Sequence, residues 1–420
     1  MGFQQGPRGF LQHRAGSFRS GQAKIRHTAD SRVPVAWDAY DSVVTDEAGT
    51  IGDIAVPQSP ARPARLHPFR ALRLAPDQVA DPGALRPMSR PYRQALRRLA
   101  EWEQQGRLAR DPEPALHLHE YTVQGITVRG LVGALDLSTR GTSLSDRAVL
   151  PHEAIHPDQA DDLARRMSEL ALNPAPILLV HRGTAQSRAL LSTIASGAPD
   201  HELTDRTGQH HRQWRITDPD QVALLGRDSL DRLLLADGHH RFEAYLRLQQ
   251  QHPGTGWDHG LAMVVDHDDT PLFLGPIHRI LSGVSLDEVC AAAEAAGGKV
   301  VPRDREHAVA VLGPGTWVLT DGRRWHTVEH DCTGGPDVAH LHEDVLARLA
   351  VRGTLTVGYR HSVEEALVEV QRSTALAVLL PAPHLEQLEH ATTAGRLLPE
   401  KATSFQPKPS FGVFMRAVPE

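Results

Sequence analysis

Apolar and polar residues follow one another along the chain in a pattern that predicts alternating helices and strands. Apolar residues at helical spacing predict helices over 92–105, 158–172 and 239–251. Short apolar runs at 177–180, 233–236 and 261–265 are typical of buried strands. Two further apolar stretches, 116–123 and 126–137, predict a hairpin around Gln124-Gly125.

The pattern changes near Ser282, where we expect a domain boundary. Ser285 with Glu288, and Ser362 with Glu365, have the spacing of capping boxes that open helices beyond it. Residues 1–27 are basic, lack acidic side chains and are poor in core residues, which favours disorder. The domains predicted are a disordered leader 1–32, an N-terminal accessory region 33–139, a mixed-sheet core 140–282 and a C-terminal α/β lobe 283–420.

Length and composition indicate a globular protein with conventional cores. The chain has 420 residues, and no stretch resembles a membrane span or a signal peptide, so we expect a cytoplasmic protein without a membrane partner. Only Cys290 and Cys332 are present, too few for a disulfide framework. The formal net charge of −6 argues against a nucleic-acid partner. The oligomeric state stays open.

Histidine is abundant, and the sharpest motif in the chain contains two. The sequence Asp237-Gly238-His239-His240-Arg241 follows a predicted strand and opens a predicted helix. Such a turn presents backbone N–H groups and a helix N-terminus at one point, where phosphate binds readily. Arg241 is suited to bidentate phosphate contact and Asp237 to a metal ion. A turn with exposed histidines and no ligand is the alternative.

A second motif, His152-Glu153-Ala154-Ile155-His156, matches the spacing of a helical zinc-protease site. Pro151 and Pro157 flank it and disfavour one continuous helix through both histidines. Glu153 is instead a candidate general base for a hydroxyl nucleophile. A solvated or helix-capping carboxylate is the alternative.

A third segment, 399–409, carries Lys401 and Lys408 with hydroxyl residues between them. These side chains are suited to an anionic ligand, and a plain surface loop is the alternative. The chain has no P-loop, no dinucleotide-binding glycine pattern after a strand and no nucleophile elbow.

Taken together, these motifs resemble a bacterial family of uncharacterised proteins marked by a central ADGHHR motif. That family is related to the SerK-like free serine kinases and, more distantly, to the ParB/sulfiredoxin superfamily. The resemblance spans about 90–417 and rests on four stretches in the expected order: 150–153 (LPHE), 236–244 (ADGHHRFEA), 275–279 (GPIHR) and 394–416.

The resemblance implies an α+β fold with a ParB/sulfiredoxin-like mixed-sheet core between an N-terminal extension and a C-terminal α/β lobe. It implies a site that holds ATP or ADP with Mg²⁺ and binds a small hydroxyl substrate. The catalytic candidates are Glu153 as base, Asp237, which also holds the metal, and His240. The cofactor-binding candidates are Gly238, His239, Arg241, His152, His278, Arg279, Lys401 and Lys408.

The leading hypothesis is therefore a nucleotide-dependent phosphotransferase that acts on free serine or a similar small hydroxyl compound. One alternative is a nucleotide-binding regulatory protein that transfers no phosphoryl group. Another is a zinc hydrolase built on His152 and His156. Segment 401–408 is expected to return from the C-terminal lobe to the nucleotide site.

Overall fold

The computed structural model describes residues 26–27, 59–80, 95–228, 230–331, 335–350 and 355–418. Most of the predicted leader lies outside these residues. Its two described residues, Arg26–His27, form a short strand that pairs in parallel with Thr356–Arg360.

Helices form where the apolar periodicity predicts them, and the described residues contain further helices for which the sequence analysis makes no prediction. They run over Ala95–Gln104, Pro157–Leu170, Ala185–Ala195, Pro219–Ala223, His239–Gln251, Leu286–Ala295, Arg305–Ala310, Val363–Arg372 and Leu385–Thr393. One further helical stretch consists of Asp337–His340, a π segment Leu341–Leu346 and Ala347–Ala350. Short 3₁₀ turns lie at Leu144–Asp146 and Gly256–Asp258, and a π segment at Leu224–Asp228.

The predicted helix starts are explained by their caps. Ser285 and Glu288 form the full reciprocal capping box. The Ser362 side chain accepts the N–H of Glu365 at 3.1 Å. Pro157 stands in the first turn of its helix, where its missing N–H costs nothing.

The largest sheet of the described residues, which we call the central sheet, has nine strands and mixes parallel and antiparallel pairs. Its order is His201–Thr204, His210–Ile216, Leu116–Val123, Ile126–Asp136, His259–Asp266, Ile177–His181, Leu233–Asp237 and Val149–Pro151, with Leu66–His67 paired beside Ile126–Asp136. Gln124 and Gly125 both have positive φ, as a tight hairpin turn requires. The predicted hairpin and buried strands are all present.

The hairpin belongs to the central sheet itself. The strand Ile126–Asp136 falls in the predicted accessory region 33–139, yet its residues 130–136 pair with His259–Asp266 of the predicted core 140–282. This strand therefore completes the ladder in the middle of the sheet and does not cover one of its faces. The domain limits stay a prediction.

A second sheet, which we call the C-terminal sheet, has seven strands. Its order is Arg26–His27, Thr356–Arg360, His278–Ser282, Leu376–Leu379, Thr316–Thr320, Trp325–Glu329 and Lys299–Arg303. The expected α+β class is thereby confirmed, and the ParB/sulfiredoxin-like assignment of the core stays a prediction.

The last described segment of the chain pairs with strands outside the central sheet. The strand Ser404–Gln406 pairs with Phe273–Gly275. The strand Met415–Ala417 joins a four-stranded sheet with Leu108–Arg110, Ala71–Leu74 and Leu172–Asn173. Segment 398–417 is therefore built into the body of the protein.

One large apolar cluster joins the central sheet, its helices and the returning C-terminal segment. Tyr245 of the helix His239–Gln251 is fully buried in it, and its hydroxyl donates to the carbonyl oxygen of Ala175 at 2.9 Å. None of the described helices has the length and apolar character needed to cross a bilayer.

Close packing of this helix on the sheet depends on Gly260. A Cβ at this position would lie 2.5 Å from the Tyr245 ring. We expect Gly260→Ala to lower the free energy of unfolding by about 1–3 kcal/mol, because the buried ring has no room to move. Urea unfolding checks this value. Gly313→Ala is the matched control, since its nearest neighbour would be 3.9 Å away; equal stability of the two variants would contradict the prediction.

Candidate functional site

The predicted strand, turn and helix around Asp237 are present. The strand Leu233–Asp237 ends at Gly238, whose φ of 88° is left-handed, and the helix His239–Gln251 begins at the next residue. A Cβ on Gly238 would lie 2.9 Å from the Arg241 guanidinium, so both the conformation and the space require glycine. The first helical hydrogen bond closes from Phe242 N–H to the Gly238 carbonyl, which leaves the N–H group of His239 without an intrahelical acceptor.

The Asp237 carboxylate lies between two cations. Lys408 Nζ is 2.7 Å from Oδ1, and an Arg241 guanidinium nitrogen is 2.5 Å from Oδ2. Burial raises the pKa of Asp237, but the charges of Lys408 and Arg241 outweigh it and hold that pKa below its ordinary value. The return of segment 401–408 to this turn, which the sequence predicts, is therefore present at Lys408.

The guanidinium of Arg241 is directed inward. It is fully buried, and besides Asp237 it donates to the Pro176 carbonyl oxygen at 2.7 Å. The expected bidentate phosphate contact does not fit this geometry, because the guanidinium fork already faces Asp237 and Pro176. Arg241 instead fixes the carboxylate at the start of its own helix.

The metal site expected at Asp237 does not fit either. Each carboxylate oxygen already faces a cation, and the described residues contain no group of three metal-ligating side chains. We therefore assign no step to a metal ion held by the protein.

The two motif histidines have different surroundings. His239 is 8% exposed, its ring meets that of His152 edge-on at 4.6 Å, and its Nε2 is buried without a hydrogen-bond partner. Burial lowers the pKa of His239 to about 3, so the ring is neutral at physiological pH. His240 stacks on His156, and its Nε2 accepts the His156 backbone N–H at 3.1 Å. The catalytic role predicted for His240 stays untested.

The Glu153 carboxylate is hydrogen bonded to the backbone of the C-terminal segment. Its two carboxylate oxygens accept the backbone N–H groups of Lys401 and Thr403, each at 3.2 Å. Burial raises the pKa of Glu153, but neighbouring His152 and the Thr403 N–H outweigh it and hold that pKa well below its ordinary value. His152 Nδ1 donates to the Leu235 carbonyl oxygen at 2.8 Å, and its Nε2 lies 2.7 Å from Thr403 Oγ1.

The residues with zinc-motif spacing do not form a zinc site. His156 is extended at the N-cap of Pro157–Leu170, and Glu153 bridges to Leu398. The two histidines are thus not on successive turns of one helix, as the flanking prolines predict. His156 Nε2 instead lies 3.0 Å from a Glu400 carboxylate oxygen, which raises the pKa of His156.

His278 and Arg279 belong to the C-terminal sheet. His278 is 2% exposed, its Nδ1 accepts the Leu380 N–H at 3.1 Å, and burial lowers its pKa to about 4. Arg279 is fully buried and donates to the carbonyl oxygens of Ile277 and Lys401. Besides these backbone contacts, Arg279 Nε donates to His342 Nε2 at 2.8 Å.

Lys408 contacts Asp237, whereas the Lys401 side chain lies beside Tyr359. Lys401 has a backbone φ of 52°, and its ammonium nitrogen lies 5.9 Å from the centre of the Tyr359 ring. Beside Asp237 lies a shallow depression without room for an enclosed water molecule. Its lining consists of Pro176, Ile177, Leu178, Asp237, Met263 and Pro409.

Sequence reasoning missed the residues that hold the C-terminal segment in place. Thr403 contacts His152, the Tyr121 hydroxyl donates to the Pro407 carbonyl oxygen at 2.7 Å, and Gln209 contacts both Lys408 and Ser410. No local signal marks Tyr121 or Gln209, because their partners are about two hundred or more positions away along the chain.

These features define an α+β protein in which a buried carboxylate and a helix N-terminus meet under a returning C-terminal segment. The chain belongs to the family described as "Protein of unknown function (DUF1015)", whose family model matches residues 56–346. No curated protein matches this chain.

Several solved structures are similar to this chain at low identity. A free serine kinase in complex with AMP is 16% identical with a TM-score of 0.38, covering 64% of this chain and 88% of the kinase. A conserved hypothetical protein from Pyrococcus furiosus is 15% identical with a TM-score of 0.38, covering 65% and 92%. Truncated SbnI from Staphylococcus aureus is 12% identical with a TM-score of 0.40, covering 68% and 87%.

The buried His239 ring predicts a pH dependence of stability. Its pKa is about 3 in the folded protein and about 6.5 when unfolded, so on acidification the unfolded state takes up the proton first. This group therefore lowers the free energy of unfolding as the pH falls below 6.5, by about 2 kcal/mol at about pH 5.

Between about pH 7.5 and pH 5, we expect the free energy of unfolding to fall by about 2 kcal/mol less in His239→Gln than in the wild type. Urea unfolding at both pH values measures the difference. His252→Gln, at an exposed histidine, should keep the wild-type dependence. The same slope in His239→Gln and the wild type would contradict the assignment.

Proposed function

We propose that this protein is a nucleotide-dependent phosphotransferase that acts on a small hydroxyl compound such as free serine, with ATP or ADP as phosphoryl donor. One observation carries the proposal: the Glu153 carboxylate and the N-terminus of the helix His239–Gln251 adjoin the same buried ring pair, His152 and His239. A base and a phosphate cradle are the two protein parts that in-line phosphoryl transfer needs.

The phosphates are proposed to bind at the helix N-terminus. The N–H group of His239, in the first turn, has no intrahelical acceptor, and the positive end of the helix dipole favours an anion there. Neutral His239 adds an unpartnered Nε2 that can donate one hydrogen bond. Lys408 supplies positive charge two residues before the helix start, through its contact with Asp237.

Glu153 is proposed to orient the substrate hydroxyl and to take its proton. Its depressed pKa keeps the carboxylate ionised at neutral pH. Each carboxylate oxygen accepts one backbone N–H and has a further lone pair for the substrate hydroxyl. The hydroxyl oxygen forms a bond to the terminal phosphorus, the bond from that phosphorus to its bridging oxygen breaks, and the shortened nucleotide leaves. Because such transition states are loose, positioning the nucleophile matters more than the strength of the base.

Any Mg²⁺ is proposed to enter as part of the nucleotide substrate. Mg²⁺ commonly keeps several waters and binds through substrate phosphates with few protein ligands. This mode agrees with an Asp237 whose oxygens are both paired to cations.

We expect Glu153→Gln to lower kcat by about 10²–10⁴-fold, the usual contribution of a positioned acid or base, with little change in nucleotide affinity. The assay incubates purified protein with Mg-ATP or Mg-ADP and a panel of hydroxyl compounds that includes free serine, and detects the phosphorylated product. Glu169→Gln is the matched control, because it removes the same charge from an exposed position. Absence of product with every compound, or full activity of Glu153→Gln, would overturn the proposal.

A second candidate function is a nucleotide-binding regulator without phosphoryl transfer. It is favoured by the two backbone hydrogen bonds that occupy the Glu153 oxygens, which suit a latch on the C-terminal segment. In that case the wild type binds nucleotide without turnover. Glu153→Gln then changes the protection of segment 398–408 from amide exchange.

A further inference from the structure

We propose that Gln209 is a positioning residue that sets where the Lys408 ammonium lies opposite Asp237. Gln209 stands in the turn between the strands His201–Thr204 and His210–Ile216, far from Lys408 along the chain. Its effect on nucleotide binding rests on the proposed function, whereas its effect on Lys408 itself does not.

Both ends of the Gln209 amide bind the backbone beside Lys408. Nε2 donates to the Lys408 carbonyl oxygen at 3.0 Å, and Oε1 accepts the Ser410 N–H at 2.9 Å. The Ser410 hydroxyl lies 3.2 Å from the same Oε1. Gln209 is 5% exposed, so water does not readily replace these hydrogen bonds.

Two prolines increase the importance of the Gln209 hydrogen bonds for the position of segment 407–410. Pro407 and Pro409 flank Lys408 and offer no N–H of their own, so the backbone there depends on its carbonyl oxygens for hydrogen bonds. The Tyr121 hydroxyl binds the carbonyl of Pro407, and Gln209 binds that of Lys408. Both anchors extend from the central sheet and its hairpin turn.

The turn that carries Gln209 is itself held firmly. The Asp205 carboxylate accepts the backbone N–H groups of Thr207 and Gln209 and the Thr207 hydroxyl. Its other oxygen lies 3.3 Å from Nε2 of His211, a buried ring in the same hairpin. Asp205 N–H also donates to the Gln209 carbonyl at 2.9 Å. The amide is thus presented from a rigid turn.

The chain of contacts runs from Gln209 through the Lys408 backbone to the Lys408–Asp237 pair. Loss of the amide leaves the Lys408 carbonyl and the Ser410 N–H without these partners. The segment then gains freedom, and the ammonium leaves Asp237 for part of the time. Arg241 alone remains on that carboxylate.

The first test measures the reactivity of the Lys408 amine directly, without any nucleotide. The chain has four lysines, and the Lys299 side chain, 71% exposed, serves as an internal reference for amine acetylation followed by mass spectrometry. In the wild type Lys408 reacts slowly because its side chain is 10% exposed and paired. We expect Gln209→Ala to raise the rate at Lys408 relative to Lys299 by about tenfold, as the loss of a buried hydrogen bond permits.

Gln213→Ala is the matched control for this test. Gln213 lies in the same hairpin, is equally buried and accepts from Arg73 at 2.6 Å, away from segment 407–410. It should leave the Lys408 rate unchanged. If Gln209→Ala does not fold, Gln209→Glu replaces it, because that side chain retains an acceptor for Ser410 and loses the donor to Lys408. An unchanged Lys408 rate in the folded variant would overturn the proposal.

The second test is a double-mutant cycle on binding of Mg-ADP, measured by calorimetry. We expect Gln209→Ala to weaken binding about tenfold in the wild type and not at all in a Lys408→Met background, because it acts through Lys408. Equal losses in both backgrounds would contradict a positioning role. A wild type that binds no nucleotide would count against the proposed function alone, since the acetylation test still decides on Gln209.

Discussion

The pairing of one buried carboxylate with two cations holds the candidate functional site together. Asp237 ends a strand of the central sheet, Arg241 belongs to the helix that follows, and Lys408 arrives with the C-terminal segment. Charges removed from water are costly unless they are paired and hydrogen bonded. The three groups therefore stabilise the turn only together, and the loss of one cation leaves the carboxylate with incomplete compensation.

This arrangement determines which groups remain for a ligand. Arg241 is committed to Asp237 and to the Pro176 carbonyl, whereas the His239 ring has a buried Nε2 without a hydrogen-bond partner. A ligand bound by backbone and a neutral imidazole is recognised mainly by its charge and shape. The cationic side chains contribute through the field at the helix start.

The local parts of the structure were predictable, and the long-range contacts were not. The strand, glycine turn and helix at 233–251 follow from apolar runs and from Gly238, and the prolines beside His152 and His156 indicate correctly that no helix joins them. The direction of Arg241 could not be predicted, because an arginine in the first turn of a helix can face either a ligand or the preceding strand. The anchors of the C-terminal segment pair residues with no shared local pattern.

The position of Lys408 far beyond Asp237 along the chain has a consequence for synthesis. Chains emerge from the ribosome N-terminus first, and domains fold as their residues become available. The strand Met415–Ala417, which pairs with Ala71–Leu74 and Leu172–Asn173, emerges after both of these partners. A nascent or prematurely terminated chain can therefore form the Asp237 turn while lacking its second cation. The Asp237 turn thus receives its second cation only when segment 398–417 has been made, well after the strand and helix that form the turn.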